Sequence, residues 1–253
     1  MNQSKAVDLI WRAWHEQTNY PQALRSWLDF NSALAVQLEL LDRRLARGDE
    51  LAGWKIGLTS ERVRQHLGTT DQPFGHIVQH LQSGNHVVLS EIGQNTSVEP
   101  EMVVTLGRDL AGPNTSAQDA RAAVSHIAAG LEVNQNRIGD ISDFPMLVAD
   151  NLTQWAIVEG TPLALDDQFQ SEALQVSFAR NNQPVTNIQG TVEVIDDHFT
   201  SVATLANALA RFDRQLYAGQ KVITGSFCRQ SVKAGENWKA SFSSIGDVEI
   251  TFD

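Results

Sequence analysis

Two glutamates stand with one residue between them at the head of an apolar run. The stretch "NTSVEPEMVVTLG", residues 95–107, carries Glu99, Pro100 and Glu101 just before Met102-Val103-Val104-Thr105-Leu106, which reads as a buried strand with the glutamates at its entrance. Residues two apart in extended backbone project from one face, so both carboxylates converge on a small volume. Two such charges repel unless a positive group compensates them or one carboxyl keeps its proton. A hard divalent cation is one such group, because Mg²⁺ takes carboxylate oxygens. Taken alone, a Glu-x-Glu pair at a strand end more often simply faces water.

Glu132 adds weight. It lies in "AAGLEVNQNR", flanked by Leu131 and Val133, and a glutamate inside an apolar strand is rarely left unpaired. Ligation of a metal and an ion pair with Arg137 or another cation both satisfy it. Lys55, between Trp54 and Ile56 in "GWKIGLTS", raises the same question with the opposite sign. A lysine held there can bind an anion or transfer a proton, or it can lay its stem along apolar surface and keep the ammonium in water.

Other chemistries fall away. The seven histidines are scattered, with no His-Glu-x-x-His pair. The single cysteine, Cys228 in "TGSFCR", has no evident activating base and reads as a packed thiol. There is no phosphate-binding glycine loop and no nucleophile elbow. A net charge of -11 argues against nucleic acid and against an anionic membrane as partners. One cysteine excludes an internal disulfide, and the N-terminus lacks the apolar core of a signal peptide. The expected location is the cytoplasm.

The elements that must position these groups follow from periodicity. Ala6, Ile10, Trp11 and Trp14 predict a helix over 5–15; Leu34, Leu38 and Leu41 predict another over 32–47, with Gly48 as its stop and Tyr20 and Pro21 between the two. From residue 51 the texture changes to short Val-, Ile-, Thr- and Phe-rich runs between Gly, Asn and Asp clusters. Strands are expected near 52–58, 86–89, 101–107, 128–134, 154–159, 173–179, 221–225 and 247–252, with two interrupting helices at 116–127 and 199–212. The chain thus divides into a helical segment, 1–50, and a β-rich domain, 51–253, expected to carry any catalytic site, packed as one compact unit; 42% hydrophobic residues supply the core.

Taken in order, "GWKIGLTS", "VEPEMVVTLGRDLAGP", "GLEVNQNR", "VADN" and "GQKVITGSF" resemble the 2-keto-4-pentenoate hydratases of the fumarylacetoacetate hydrolase superfamily, whose near relatives include 2-oxohepta-4-ene-1,7-dioate hydratases and 4-oxalocrotonate decarboxylases. The resemblance runs over nearly the whole chain. It implies an α+β fold, a mixed β-roll of the fumarylacetoacetate hydrolase C-terminal type with a helical N-terminal segment. It implies that Glu99, Glu101 and Glu132 ligate Mg²⁺ or Mn²⁺, that Lys55 is catalytic, and that Thr224, Gly225, Ser226, Asp71 and Asp150 lie near the substrate. The implied reaction is hydration of a 2-hydroxy-2,4-dienoate, through its 2-oxo-enoate tautomer, to a 4-hydroxy-2-oxo acid. The implied partners are a small 2-keto acid and further copies of the chain, or a complex with a related decarboxylase or hydratase.

The chain departs from the family's pattern in its pocket. Pro73 stands where relatives carry an Asp, with Asp71 slightly upstream; Gln135 replaces another Asp; Leu152, Thr153, Gln154 and Trp155 follow "VADN" where small residues are favoured; and "TVEVIDDHFTS" replaces a Gly- and Pro-containing turn. Decarboxylation of a 2-oxo dicarboxylate, acylpyruvate hydrolysis and a non-catalytic partner role therefore remain alongside the hydratase. The lack of a His-Glu pair before Lys55 weighs against the hydrolase, and the intact carboxylate set against the non-catalytic role.

Overall fold

The computed structural model describes residues 1–253 except 17, 19, 21, 94, 140, 141 and 190–193. Three helices lead, α1 (Gln3–Glu16), α2 (Gln22–Arg25) and α3 (Phe30–Ala46); β1 (Gly53–Ile56), α4 (Glu61–Leu67), β2 (Phe74–Ile77), β3 (His80–Gln82), β4 (Asn85–Val87) and α5 (Leu89–Ile92) follow. The centre holds β5 (Thr96–Leu106), α6 (Ala117–Ala123), β6 (Val124–Gln135), α7 (Phe144–Ala149), β7 (Gln154–Glu159) and β8 (Leu163–Ala164). The chain ends with β9 (Gln175–Arg180), β10 (Gln183–Gln189), α8 (His198–Ala210), β11 (Lys221–Ser226), β12 (Gln230–Ser231), β13 (Glu236–Phe242) and β14 (Gly246–Phe252).

A mixed sheet in the order β2-β1-β11-β5-β6-β7-β3, with β12 beside β5 and β8 beside β6, forms a β-roll against a second sheet, β10-β9-β13-β14-β4. One apolar core joins α1, α3, α7 and α8 to both sheets without a break. The leading helices back the roll directly: the buried Gln37 amide of α3 donates to the carbonyls of Phe74 on β2 (2.6 Å) and Val148 on α7 (3.2 Å).

One face of the large sheet is built in three levels, set by the two-residue period of its strands. Lys55, Glu99, Glu101 and Glu132 occupy the first. Ile77, Val103, Ala128, Ile157 and Ile223, one from each of five strands, form a separate apolar floor beneath them. Below that floor Glu159 is paired with Lys221 (2.8 Å) and His80 (2.8 Å), and Lys221 also reaches Thr105 (3.2 Å).

Several elements differ from the sequence expectation. The strand bearing the glutamates begins at Thr96, so Glu99 and Glu101 lie well inside it. Pro100 is tolerated there because a proline lacks only a ladder donor, and such gaps fall at bulges. Opposite it the ladder from β11 is interrupted: Ser226 pairs with Glu101, Gln230 with Val98, and only Phe227 N–H reaches back to the Pro100 carbonyl. The helix expected over 116–127 ends at Ala123, since Val124–Ile127 pair with β5; their spacing suits either period, and the sheet partner decides. Among the described residues α4, α5 and α7 also interrupt the strands, and β2, β3, β8, β10, β12 and β13 were not anticipated. Pro21 and residues 191–193 of "TVEVIDDHFTS" lie outside the described residues.

The apolar floor requires Gly130. A Cβ there would collide with Val103 Cγ2 and lie 3.1 Å from the Glu101 carbonyl oxygen. Gly130→Ala should therefore cost about 1–3 kcal/mol through overpacking, read as a lowered urea midpoint without a change in slope.

Candidate metal centre and active site

Glu99 lies directly across from Glu132 on the β5–β6 ladder, and Glu101 is two residues further along β5. All three carboxylates are buried, and each offers an oxygen within 4.8 Å of the others. Lys55 comes from β1, which reaches β5 through β11: Lys55 pairs with Ile223, and Ile223 with Val103. The Lys55 ammonium donates to Glu132 Oε1 and lies 3.4 Å from the Leu152 carbonyl. Arg229 donates to Glu99, and the Gly225 N–H donates to Glu101 Oε2 at 2.8 Å. Glu132 therefore pairs with Lys55, and Arg137 turns elsewhere.

These contacts leave the carboxylates short of positive charge. Three acids face two cations, and Glu132 Oε2 is buried with no hydrogen-bond partner among the described residues. Burial, followed by the charges of Glu132 and Glu99, raises the pKa of Glu101 well above the carboxylate range. Burial pushes Glu132 up to about 7 despite Lys55. Glu159 below the floor shows the contrast. Burial raises its pKa too, but hydrogen bonds from His80 and Lys221 outweigh that and hold it low. A divalent cation fits what the triad lacks: the donors are all hard carboxylate oxygens, one is an orphan, and positive charge among them lets all three ionise.

The groups surround a cavity of about 290 Å³. Ile56, Leu58, Pro73, Phe144, Leu147 and Leu152 give it apolar walls, while Gly57, Thr59, Gly225 and Ser226 complete it. Of the residues expected near a substrate, Gly225 and Ser226 line this cavity. Thr224 does not: it is fully buried, donates to the Met102 carbonyl (3.1 Å) and meets His198 Nδ1 at 2.7 Å. Asp71 is exposed beyond α4 and lines no part of it. Asp150 is fully buried outside it, receiving hydrogen bonds from Arg137 (2.9 Å), Trp14 (2.8 Å) and Tyr20. Gln135 accepts from Arg137 (2.8 Å), and Trp155 also lies outside. Among the described residues no histidine lines the cavity. Burial, then the Glu99 charge, pushes the Cys228 thiol up to about 11, so it is no nucleophile near neutrality.

Among the charged groups of the site, the one that sequence reasoning missed is Arg229. It reaches Glu99 because β12 returns beside β5 after the bulge, a contact no spacing in "SFCRQ" announces. Thr59, by contrast, stands inside the quoted "GLTS" run.

A roll with this acidic mouth places the protein among the metal-dependent enzymes of the fumarylacetoacetate hydrolase superfamily. No family model matches the sequence. The chain is 30% identical over 228 residues to 2-keto-4-pentenoate hydratase 1 of Dechloromonas aromatica, covering 88% of this chain and 86% of that one. It is 27% identical over 229 residues to the 2-keto-4-pentenoate hydratase of Paraburkholderia xenovorans, covering 89% and 85%. The chain belongs to the 2-keto-4-pentenoate hydratase family. Among solved structures, 4-oxalocrotonate decarboxylase from Pseudomonas putida G7, complexed with magnesium and adipate, superposes with a TM-score of 0.91 at 25% identity, covering 100% of this chain and 99% of that one. Fumarylpyruvate hydrolase from Pseudomonas aeruginosa, in complex with Mn²⁺ and pyruvate, shares the fold alone, with a TM-score of 0.63 at 14% identity over 79% of this chain and 89% of that one. No helix among the described residues is long and apolar enough to cross a membrane.

Two outcomes follow. Asp150→Asn leaves the Arg137 charge without its counterion and should cost about 3 kcal/mol, at the low end for a buried pair because Arg137 is partly exposed; chemical denaturation measures it. His198 is held neutral by burial, which lowers its pKa to about 4. Below its ordinary pKa of about 6.5 the unfolded chain takes up this proton first, so stability falls as pH drops from about 6.5 towards 4. His198→Gln should flatten that slope by up to about 1.4 kcal/mol per pH unit, measured by denaturation at stepped pH.

Proposed function

We propose that the protein is a divalent-metal-dependent hydratase that converts a 2-hydroxy-2,4-dienoate, by way of its 2-oxo-enoate tautomer, into a 4-hydroxy-2-oxo acid. The observation that carries this reading is the buried Glu99, Glu101 and Glu132 set, short of positive charge beside Lys55. Glu99, Glu101 and Glu132 would hold Mg²⁺ or Mn²⁺. Bound there, the ion supplies Lewis acidity toward the carboxylate and keto oxygens of a 2-oxo acid.

The chain's own groups do the rest. Lys55 balances the substrate's negative end and is the buried group placed to move a proton. Ketonisation removes the enol proton and protonates the terminal carbon, leaving a 2-oxo-3-enoate. Water then adds to the carbon β to the ketone while the adjacent carbon gains a proton, so the net change is one water. Gly225 N–H fixes Glu101 from behind, and Arg229 fixes Glu99, limiting rearrangement during the reaction. The apolar walls exclude stray solvent.

Decarboxylation of a 2-oxo dicarboxylate is the second reading, supported by the likeness to the Pseudomonas putida decarboxylase. Carbon–carbon hydrolysis needs a base for water near the scissile carbonyl, and the cavity lining contains no histidine. The family reading also proposes a cytoplasmic homo-oligomer, which sedimentation checks.

Metal-free protein incubated with 2-hydroxypenta-2,4-dienoate should leave its absorbance intact. Addition of Mg²⁺ or Mn²⁺ should bleach it with formation of 4-hydroxy-2-oxopentanoate; inertness with either ion sinks the hydratase, and CO₂ from a dicarboxylate analogue selects the second reading. Glu101→Gln should weaken Mg²⁺ binding at least about tenfold in titration calorimetry while the circular dichroism spectrum persists. Lys55→Met should lower kcat by about 10²–10⁴.

A further inference from the structure

The cavity is chemically lopsided. Among the described residues every charged side chain in its lining belongs to one cluster: Lys55 is engaged by Glu132, Arg229 by Glu99, and Glu101 lies two residues beyond Glu99 along β5. The remaining side-chain walls are chiefly carbon: Ile56, Leu58, Pro73, Phe144, Leu147 and Leu152. Phe144 is itself backed, lying flat on Phe30 of α3 with ring centroids 5.9 Å apart.

Leu152 is held there at a conformational cost. Asn151, Leu152 and Thr153 have φ of 62°, 53° and 60°, three consecutive non-glycine residues in the left-handed region. Leu and Thr are disfavoured there and persist only where the surroundings over-determine them. The surroundings do so here. Asn151 exchanges two hydrogen bonds with the His76 backbone on β2, at 2.7 and 2.9 Å. Thr153 donates to Asn134 of β6 at 2.9 Å. Between these clamps Leu152 sends its carbonyl towards Lys55 and its side chain into the cavity, where a Cβ on Gly57 would meet both Leu152 Cδ1 (3.6 Å) and Pro73 Cγ (3.3 Å).

We propose that Leu152, fixed by this clamped left-handed turn, is the specificity-determining residue of the site, setting its preference for an uncharged, apolar substrate tail, with Leu147 and Phe144 completing the tail wall. The inference rests on the 2-oxo acid reading above and names the residue that sets its tail selectivity. A second carboxylate at the far end would lose its water against carbon, and both cations of the lining are already committed beside the triad. An alkyl tail would bury its surface there.

The test uses saturated 2-oxo acids, which bind without being hydrated. Titration calorimetry of the full-length protein with Mg²⁺ would compare pyruvate, 2-oxohexanoate and 2-oxoadipate, the last two differing only in a terminal methyl or carboxylate. We expect 2-oxohexanoate to bind on the order of tenfold more tightly than either other ligand. Leu152→Ala should bring the 2-oxohexanoate to pyruvate affinity ratio to within about twofold of one. Leu147→Ala should shrink the same ratio, and it leaves the strained turn untouched should the first variant fold poorly. Binding of 2-oxoadipate as tightly as 2-oxohexanoate, or a ratio unmoved in both variants, overturns the proposal and leaves the 2-oxo acid reading standing. Failure of all three ligands to bind overturns that reading and this one together.

Discussion

Repulsion among three carboxylates held on adjacent strands is the constraint around which this molecule is organised. Glu99 and Glu132 are cross-strand partners and Glu101 shares their face, so the ladder forces them together whatever their charge. Burial removes the water that would otherwise screen them. Lys55 of β1 and Arg229 of the β11–β12 loop offset part of the charge, and the remainder leaves a deficit that a divalent ion would fill. Below the apolar floor, Glu159 meets the same burial with full pairing. The two ends of one sheet face thus show an acid balanced for stability and acids left unbalanced for chemistry.

The rest of the fold serves this placement. Gly130 admits the floor beneath the triad, and the break between β11 and β12 accommodates Pro100 between Glu99 and Glu101. The leading helices brace the cavity wall through Gln37 and Phe30. The Arg137–Asp150–Tyr20–Trp14 network joins α1 to the end of α7, fixing the root of the turn that carries Leu152. Backbone strain at residues 151–153 is therefore supported by hydrogen bonds on both flanks, as expected where a side chain must be presented in one orientation.

Legibility in the sequence tracked locality. Helices α1, α3 and α8 were readable because an amphipathic stripe is written within one element. The Glu-x-Glu pair was readable as two groups on one face, and the family resemblance supplied Glu132 and Lys55 as companions. Strands such as β10 and β13 escaped notice although β13 alternates buried and half-buried residues throughout, because short alternating runs compete with turns. Arg229, Phe144 and Leu147 were invisible, since they meet the site only through sheet order and chain return, whereas the family pattern had marked Pro73 and Leu152 as pocket positions. Asp150 looked like a site residue from its motif, yet its carboxylate is consumed by Arg137, a contact thirteen residues away that no local pattern specifies.

By itself, then, the sequence determined the chemical character of this protein: an acidic chain with one cysteine, a pair of carboxylates on a common strand face, and a lysine in an apolar segment. Those properties follow from residue type and a two-residue period, which need no partner strand. Only the tertiary structure decided which charge compensates which acid, which loops wall the cavity, and how Leu152 is held there. Those outcomes depend on strand order, register and a clamped turn, and each is set by contacts between residues far apart in the chain.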